Sequence, residues 1–315
     1  VKVLGSKGRP ERGCALTIGA FDGVHVGHRK LIAAVIERAR QLDVASAVVT
    51  FDCHPASVVR PDSAPKLLTD LDQKLELLEQ TGVDYTLVVP FNEERASEEA
   101  EDFVNDVFVS RLGARSVFIG HDFHFGRGRR GNAELLEKMG VEHGFEVRTV
   151  DALTKGDDVV SSTLIRSRLL EGNLDSDVDR PGVFDLLGRD HEVRGLVTMG
   201  DGRGRELGYP TANVHVDQNI LMPTFGVYAG EYVMPDRSVL PAMISWGTRP
   251  TFYEDGAQLL EAHVFDFEGD LYGQHASVRF RSKLRGQQRF DSAEALIEQM
   301  DRDAEQARSL MCRST

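Results

Sequence analysis

Two rhythms divide the apolar positions of this chain. In the first half, short apolar runs alternate with stretches whose apolar residues recur at helical spacing. Strands are predicted at Ala15–Ile18, Ser46–Thr50, Tyr85–Val89, Ser116–Ile119 and Phe145–Val150. Helices are predicted at His28–Leu42, Thr69–Gln80, Glu98–Leu112 and Ala133–His143. Leu31, Ile32, Val35 and Ile36 mark the buried stripe of the first helix. Leu71, Leu75 and Leu78, behind a Thr69 cap, mark that of the second. Strands alternating with helices imply an α/β, Rossmann-like parallel sheet covered on both faces. Ligands of such sheets sit at the carboxyl ends of the strands.

The rhythm breaks at Asn173–Pro181, an Asp-rich stretch bounded by Gly172 and Gly182, which reads as a linker. Beyond it, alternating runs at Glu192–Met199, Val227–Val233, Val239–Ile244, Leu259–Phe267 and His275–Arg281 predict antiparallel strands. A small β-barrel is the compact way to remove their edges. A C-terminal helix follows. Asp291 and Glu294 resemble a capping box, and Leu296, Ile297, Met300, Ala304, Ala307 and Met311 form its apolar stripe. Two domains are expected, 1–175 and 183–315.

Composition narrows the partners. The net charge of −13 disfavours a nucleic-acid surface and leaves local basic spots, such as Arg127, Arg129 and Arg130, for phosphate. No apolar run is long enough to span a bilayer, and no signal-like segment opens the chain. Cys14, Cys53 and Cys312 form neither a disulfide framework nor a zinc pattern. A cytoplasmic protein with small-molecule partners is expected.

Chemistry concentrates at two places. Gly19–His28 lies between the first strand and the first helix. Its glycines allow close backbone approach, and the helix start offers free N–H groups to phosphate. His25 and His28 flank Gly27 and can donate to the same phosphate, as adenylyl transfer requires. Gly19, Phe21, Asp22 and Gly27 belong to the same expected phosphate cradle, which the resemblance given below implies is for ATP. The plain alternative is a glycine turn with two surface histidines. Ser161-Ser162-Thr163 followed by Arg166 offers a second cradle at a helix start.

The second place is Gly200–Asn213, a glycine-rich loop containing Gly204 that ends in Tyr209-Pro210-Thr211-Ala212-Asn213. Thr211 and Asn213 put hard oxygen ligands on one face of an extended segment, which suits magnesium held with nucleotide phosphates. A loop before a strand is the alternative. Strand Leu259–Phe267 alternates, so Glu261 and His263 share a face opposite Leu260, Ala262 and Val264. A phosphoryl transfer to a hydroxyl needs a base.

These residues resemble the bacterial bifunctional riboflavin kinase/FAD synthetase family, from about Thr17 to the C-terminal helix. The resemblance implies a nucleotidyltransferase domain followed by a riboflavin kinase barrel. It implies that riboflavin is phosphorylated to FMN, and that FMN is adenylylated to FAD with release of pyrophosphate, using ATP and Mg2+. His25, His28, Ser162, Thr163 and Arg166 are then implied to hold ATP phosphates. Thr211 and Asn213 are implied to bind magnesium and ATP, and Glu261 to be the kinase base. Phe51-Asp52-Cys53-His54-Pro55 corresponds to a family stretch with proline at position 53, so a less rigid loop is expected. The resemblance implies flavin contacts at His54, Pro55, Asp122 and Arg285. His121, Trp246, Gln287 and Gln288 depart from the family pattern, and no carboxylate partner for Arg285 is evident. Three narrower readings stay open: one active and one degenerate domain, a flavin binder without turnover, or another adenylyltransferase with an unrelated barrel.

Overall fold

The computed structural model describes residues 2–4, 8–177, 180–199, 208–248 and 258–312. It divides into two compact units, Val1–Ser162 and Thr163–Thr315.

The first unit is a parallel sheet of β1 (Lys2–Val3), β2 (Cys14–Ile18), β3 (Ala45–Phe51), β4 (Tyr85–Val89), β5 (Ala114–Gly120) and β6 (Glu146–Val150), in the order β1-β4-β3-β2-β5-β6. β2 alternates sides. Cys14, Leu16 and Ile18 join a core with Phe103, Phe108 and Met139, whereas Ala15 joins Val35 and Ala39 on the other face. α1 (Val26–Leu42) and α3 (Leu71–Glu79) cover that second face. α5 (Ala100–Phe103), its π-helical continuation Val104–Arg111, and α6 (Ala133–His143) cover the first. The short α2 (Pro55–Val59) follows β3, and α4 (Glu93–Ala96) follows β4. Strand order reverses between β2 and β5, so their carboxyl ends frame the crevice where ligands collect in such folds.

Several local expectations shift. The cap of α3 is Asp70, whose carboxylate accepts the Gln73 amide at 2.7 Å, and not Thr69. The stripe of α3 is also rotated: Gln73, Lys74, Leu77 and Leu78 are buried, while Leu71 and Leu75 are only half-buried. The single helix expected over 98–112 is divided into α5 and a wider π-helical segment.

The second unit is a closed antiparallel barrel in the order β10-β13-β12-β11-β14-β9. Its strands are β9 (His191–Thr198), β10 (Ala212–Val216), β11 (Gly226–Val233), β12 (Val239–Thr248), β13 (Gln258–Val264) and β14 (His275–Arg285). The first unit ends with a two-stranded ribbon, β7 (Thr154–Lys155) and β8 (Asp158–Val159), and α7 (Ser162–Glu171) then precedes α8 (Val183–Leu187). The Asp-rich stretch read as a linker is folded where described. Leu174 is buried, and the Ser282 hydroxyl donates to Asp175 at 2.5 Å.

The last helix, α9 (Ala293–Cys312), is capped by Ser292, whose hydroxyl accepts the Ala295 amide at 3.1 Å. Asp291, the expected cap, is exposed. Ala304 and Ala307 pack on Val227, Ala229, Met243 and Phe265 of the barrel's outer face. Alanine lets the helix approach closely. Trp246, the only tryptophan, lies in β12 and reports on this unit by its fluorescence. Ala307→Leu should overpack the seam and cost about 1–3 kcal/mol. This is checked by urea unfolding followed through Trp246, where an unchanged midpoint would contradict the packing.

Candidate active sites

In the first unit the chain leaves β2 through a strained turn. Phe21 and Val24 adopt φ of 49° and 38°, a left-handed conformation that costs about 1–2 kcal/mol per residue. Both side chains are buried with Ile32, Val48, Leu77, Leu78 and Val83, and burial worth about 1.5–3 kcal/mol each offsets the strain. Asp22 fixes the turn from below. Its buried carboxylate accepts the Leu68 amide at 2.9 Å and the Thr69 amide at 3.2 Å. Thr69 accepts the Gly23 amide at 3.2 Å, and Ser162 donates to the Asp22 carbonyl at 3.0 Å. Phe21 and Asp22 are therefore turned into the protein, where they shape the loop.

The turn delivers His25 to the start of α1. His25 Nδ1 accepts the His28 amide at 3.2 Å, so the proton of the neutral ring lies on Nε2. A Cβ on Gly27 would stand 3.2 Å from the His25 ring. Glycine leaves room for this cap. The two imidazoles stack with centroids 3.5 Å apart, and Phe21 meets His28 edge-on at 5.0 Å. Burial, and then the neighbouring His25, lower the His28 pKa well below the usual histidine value. Its Nδ1 is buried without a hydrogen-bond partner among the described residues. Free backbone N–H groups at a helix start favour an anion, and the two imidazoles stand beside them.

β3 brings a second loop to the same edge of the sheet. His54 caps α2, accepting the Ala56 amide at 3.1 Å, with Pro55 at the first helical position. The loop around Cys53 is tied to the chain after β4. Asp52 accepts the Phe91 amide at 2.9 Å, and the Cys53 thiol donates to the Phe91 carbonyl at 3.4 Å. After β5, Gly120 leads to an exposed Asp122, and Phe123 stacks on Phe125 against the core. Gly19 and Gly120 thus lie at the ends of the two strands that frame the crevice. Lys74, unremarked in the sequence, is buried on α3 and donates to the Phe51 carbonyl at 2.8 Å and the Ala20 carbonyl at 3.4 Å. Burial lowers its pKa against the pull of Asp22. Thr163 is exposed and Arg166 half-buried in the first turns of α7.

In the second unit, strand register assembles the site. Asn213 pairs with Glu261, Glu261 with Ser245, Ser245 with Val227, and Val227 with Arg285. Paired residues carry their Cβ atoms about 5 Å apart on one face. That face is the outer one, because Ala212, Ala262, Ile244 and Tyr228 form the next row and are buried inside. Asn213 Oδ1 is buried with no hydrogen-bond partner among the described residues. An orphaned amide oxygen suits a hard cation or a polar ligand. Thr211 stands two residues before it, half-buried. The extended segment expected at the end of this motif is the beginning of β10. Gly204 lies outside the described residues.

α9 fastens the edges of this row. Arg285 does have a carboxylate partner. Its Nε and Nη2 lie 2.8 Å from Asp303 Oδ2, while Gln299 donates to Oδ1 at 2.8 Å. Tyr209 donates to Asp301, and His263 donates from Nδ1 to the Pro210 carbonyl at 2.8 Å. Arg308 grips Asp266 with two bonds of 2.6 and 2.9 Å. Trp246 is half-buried, donating to the Pro223 carbonyl at 3.0 Å beside Phe225. Among the described residues no group of three His, Cys, Asp or Glu could hold a metal ion. No helix among them is long and apolar enough to cross a membrane.

Comparison with known proteins matches these units one by one. Residues 8–164 match the family model described as FAD synthetase, and residues 187–311 match that described as riboflavin kinase. The bifunctional riboflavin kinase/FMN adenylyltransferase of Escherichia coli strain K12 is 40% identical over 299 residues, covering 95% of this chain and 93% of that protein. The protein of the same description from Pseudomonas fluorescens is 39% identical over 303 residues, covering 96% and 94%. That from Haemophilus influenzae is 33% identical and covers 98% of both chains. A crystal structure described as a macrolide-efflux protein from Streptococcus pneumoniae aligns with a TM-score of 0.82 at 29% identity, covering 94% of each chain.

Removing the Asp303 carboxylate would leave Arg285 charged, largely buried and unpaired. Asp303→Ala should destabilise the barrel by about 3–5 kcal/mol. Urea unfolding followed through Trp246 checks this, and a loss below about 1 kcal/mol, the value of an exposed pair, would contradict it.

Proposed function

Because the chain belongs to the bacterial bifunctional riboflavin kinase/FMN adenylyltransferase family, we propose that adenylyl transfer occurs at the His25–His28 helix start and phosphoryl transfer at the Glu261–Asn213 row. The protein is a bifunctional enzyme of flavin cofactor synthesis: it phosphorylates riboflavin to FMN with ATP and adenylylates FMN to FAD. We assign residues 1–175 to the transferase and 183–315 to the kinase. The observation that carries the residue assignment is the register that sets Glu261 opposite Asn213.

In adenylyl transfer, a phosphate oxygen of FMN attacks the α-phosphorus of ATP, and pyrophosphate leaves. The fixed N–H donors of His25, His28 and the start of α1 meet the charge on the phosphoryl oxygens, and Ser162, Thr163 and Arg166 supply further donors. Phe21 and Asp22 act by holding the loop, and Gly19 and Gly27 by leaving space. His54, Pro55 and Asp122 face the flavin. In the kinase step, Glu261 takes the proton of the ribityl hydroxyl as its oxygen bonds the γ-phosphorus, and ADP leaves. Arg285, held by Asp303, orients the flavin. Asn213 and Thr211 would hold magnesium, which when bound neutralises charge on the nucleotide phosphates. The orphaned Asn213 oxygen supports that fit. Gly204 is assigned to nucleotide binding on the family resemblance alone. A cytoplasmic setting without nucleic-acid or membrane partners agrees with three free cysteines and a net charge of −13.

Two single substitutions separate the activities. Glu261→Ala should lower FMN formation roughly 100- to 10,000-fold while FAD formation from supplied FMN survives. His28→Ala should lower FAD formation roughly 100- to 1,000-fold and spare FMN formation. Chromatography of riboflavin, FMN and FAD reads both, and equal loss of both products in either variant would reject the assignment. Excess EDTA should stop both reactions and added magnesium restore them. Asn213→Ala should raise the magnesium requirement of the kinase step alone, and an unchanged requirement would reject Asn213 as a ligand.

A further inference from the structure

We propose that Lys74 is a positioning residue for adenylyl transfer, acting through the Ala20 carbonyl to aim the Phe21 amide at the ATP phosphates. The proposal rests on the reading of the first unit as the transferase. Lys74 is 7% exposed, on the buried face of α3 beside Leu77 and Leu78. Burying an ammonium costs several kcal/mol unless its bonds are well made. Its hydrogen bonds go to two main-chain carbonyls, Phe51 at the end of β3 and Ala20 in the loop after β2. The carboxylates nearby are engaged elsewhere: Asp22 accepts the Leu68 and Thr69 amides, and Asp52 the Cys53 and Phe91 amides. The ammonium therefore ties the histidine-bearing loop to the strand end that leads into His54.

The tie fixes the orientation of one peptide plane. The Ala20 carbonyl also accepts the Thr50 hydroxyl at 3.2 Å, so two donors hold it from within the protein. In a planar trans peptide the following N–H points the opposite way. The Phe21 amide is accordingly directed away from Lys74 and Thr50. Among the described residues that amide donates to no acceptor. It belongs to the same turn that leads to His25, and φ of 49° at Phe21 marks the turn as held against its own preference. A backbone N–H positioned this way is a preorganised donor for a phosphoryl oxygen.

The test compares Lys74→Met, Thr50→Val and the double variant, each as the full chain. FAD formation from FMN and ATP is measured below the melting temperature of every variant, with FMN formation from riboflavin as the internal control. Lys74→Met should lower kcat for FAD formation roughly 10- to 100-fold, leave KM for FMN within about twofold, and leave FMN formation unchanged. Thr50→Val should lower the same kcat, and the double variant should lose less than the product of the two, because both act through one carbonyl. A lower melting temperature with unchanged kcat would overturn the proposal and make Lys74 merely structural, as would losses that multiply independently. A wild-type chain that forms no FAD would instead overturn the functional reading beneath it.

Discussion

A buried carboxylate holds the transferase unit in working shape. Asp22 gives its oxygens to the Leu68 and Thr69 amides, and this keeps a turn that contains two left-handed, non-glycine residues. The turn sets where α1 begins, and the start of α1 sets where His25 and His28 stand. His25 is locked by accepting the His28 amide, and His28 is wedged between His25 and Phe21. On the proposed reading, adenylyl transfer asks for donors that need no reorganisation when charge develops, and this chain of contacts would supply them.

The kinase unit solves the same problem by register. One row across five strands carries Asn213, Glu261, Ser245, Val227 and Arg285. A shift of one residue in β13 would send Glu261 into the barrel, where Ala262 now packs. α9 covers the apolar part of that outer face and uses its polar residues to secure the rest: Asp303 on Arg285, Asp301 on Tyr209 and Arg308 on Asp266. The C-terminal helix is thus part of the site's support as well as of its packing.

Much of this was legible in the sequence where periodicity and function agree. Tyr85–Val89 and Ala133–His143 were readable to the residue, because uninterrupted apolar patterning and clear boundaries mark them. Errors cluster where polar residues are buried for a purpose. The stripe of α3 was misplaced because Gln73 and Lys74 look like surface positions and are buried. The extended segment expected at Thr211 and Asn213 is the start of β10, but the strand's continuation to Val216 carries too few alternating apolar positions to stand out in the sequence. The Asp303 partner of Arg285 is a contact between a strand end and a helix, which no local pattern reveals. The motifs single out Glu261, Asn213, His25 and His28 as candidates, whereas the contacts that hold these segments, through Asp303, Thr69 and Lys74, are visible only in three dimensions.

Two different bonds of ATP are broken in this account, one at each site, so the by-products test it most directly. The full chain would be supplied with riboflavin, ATP and magnesium, and nucleotides and phosphates followed by phosphorus NMR as FAD accumulates. Each FAD should be accompanied by one ADP from the barrel and one pyrophosphate from the transferase, with ADP appearing first. FAD without matching ADP, or flavin turnover that never yields pyrophosphate, would contradict the presence of two working sites in one chain.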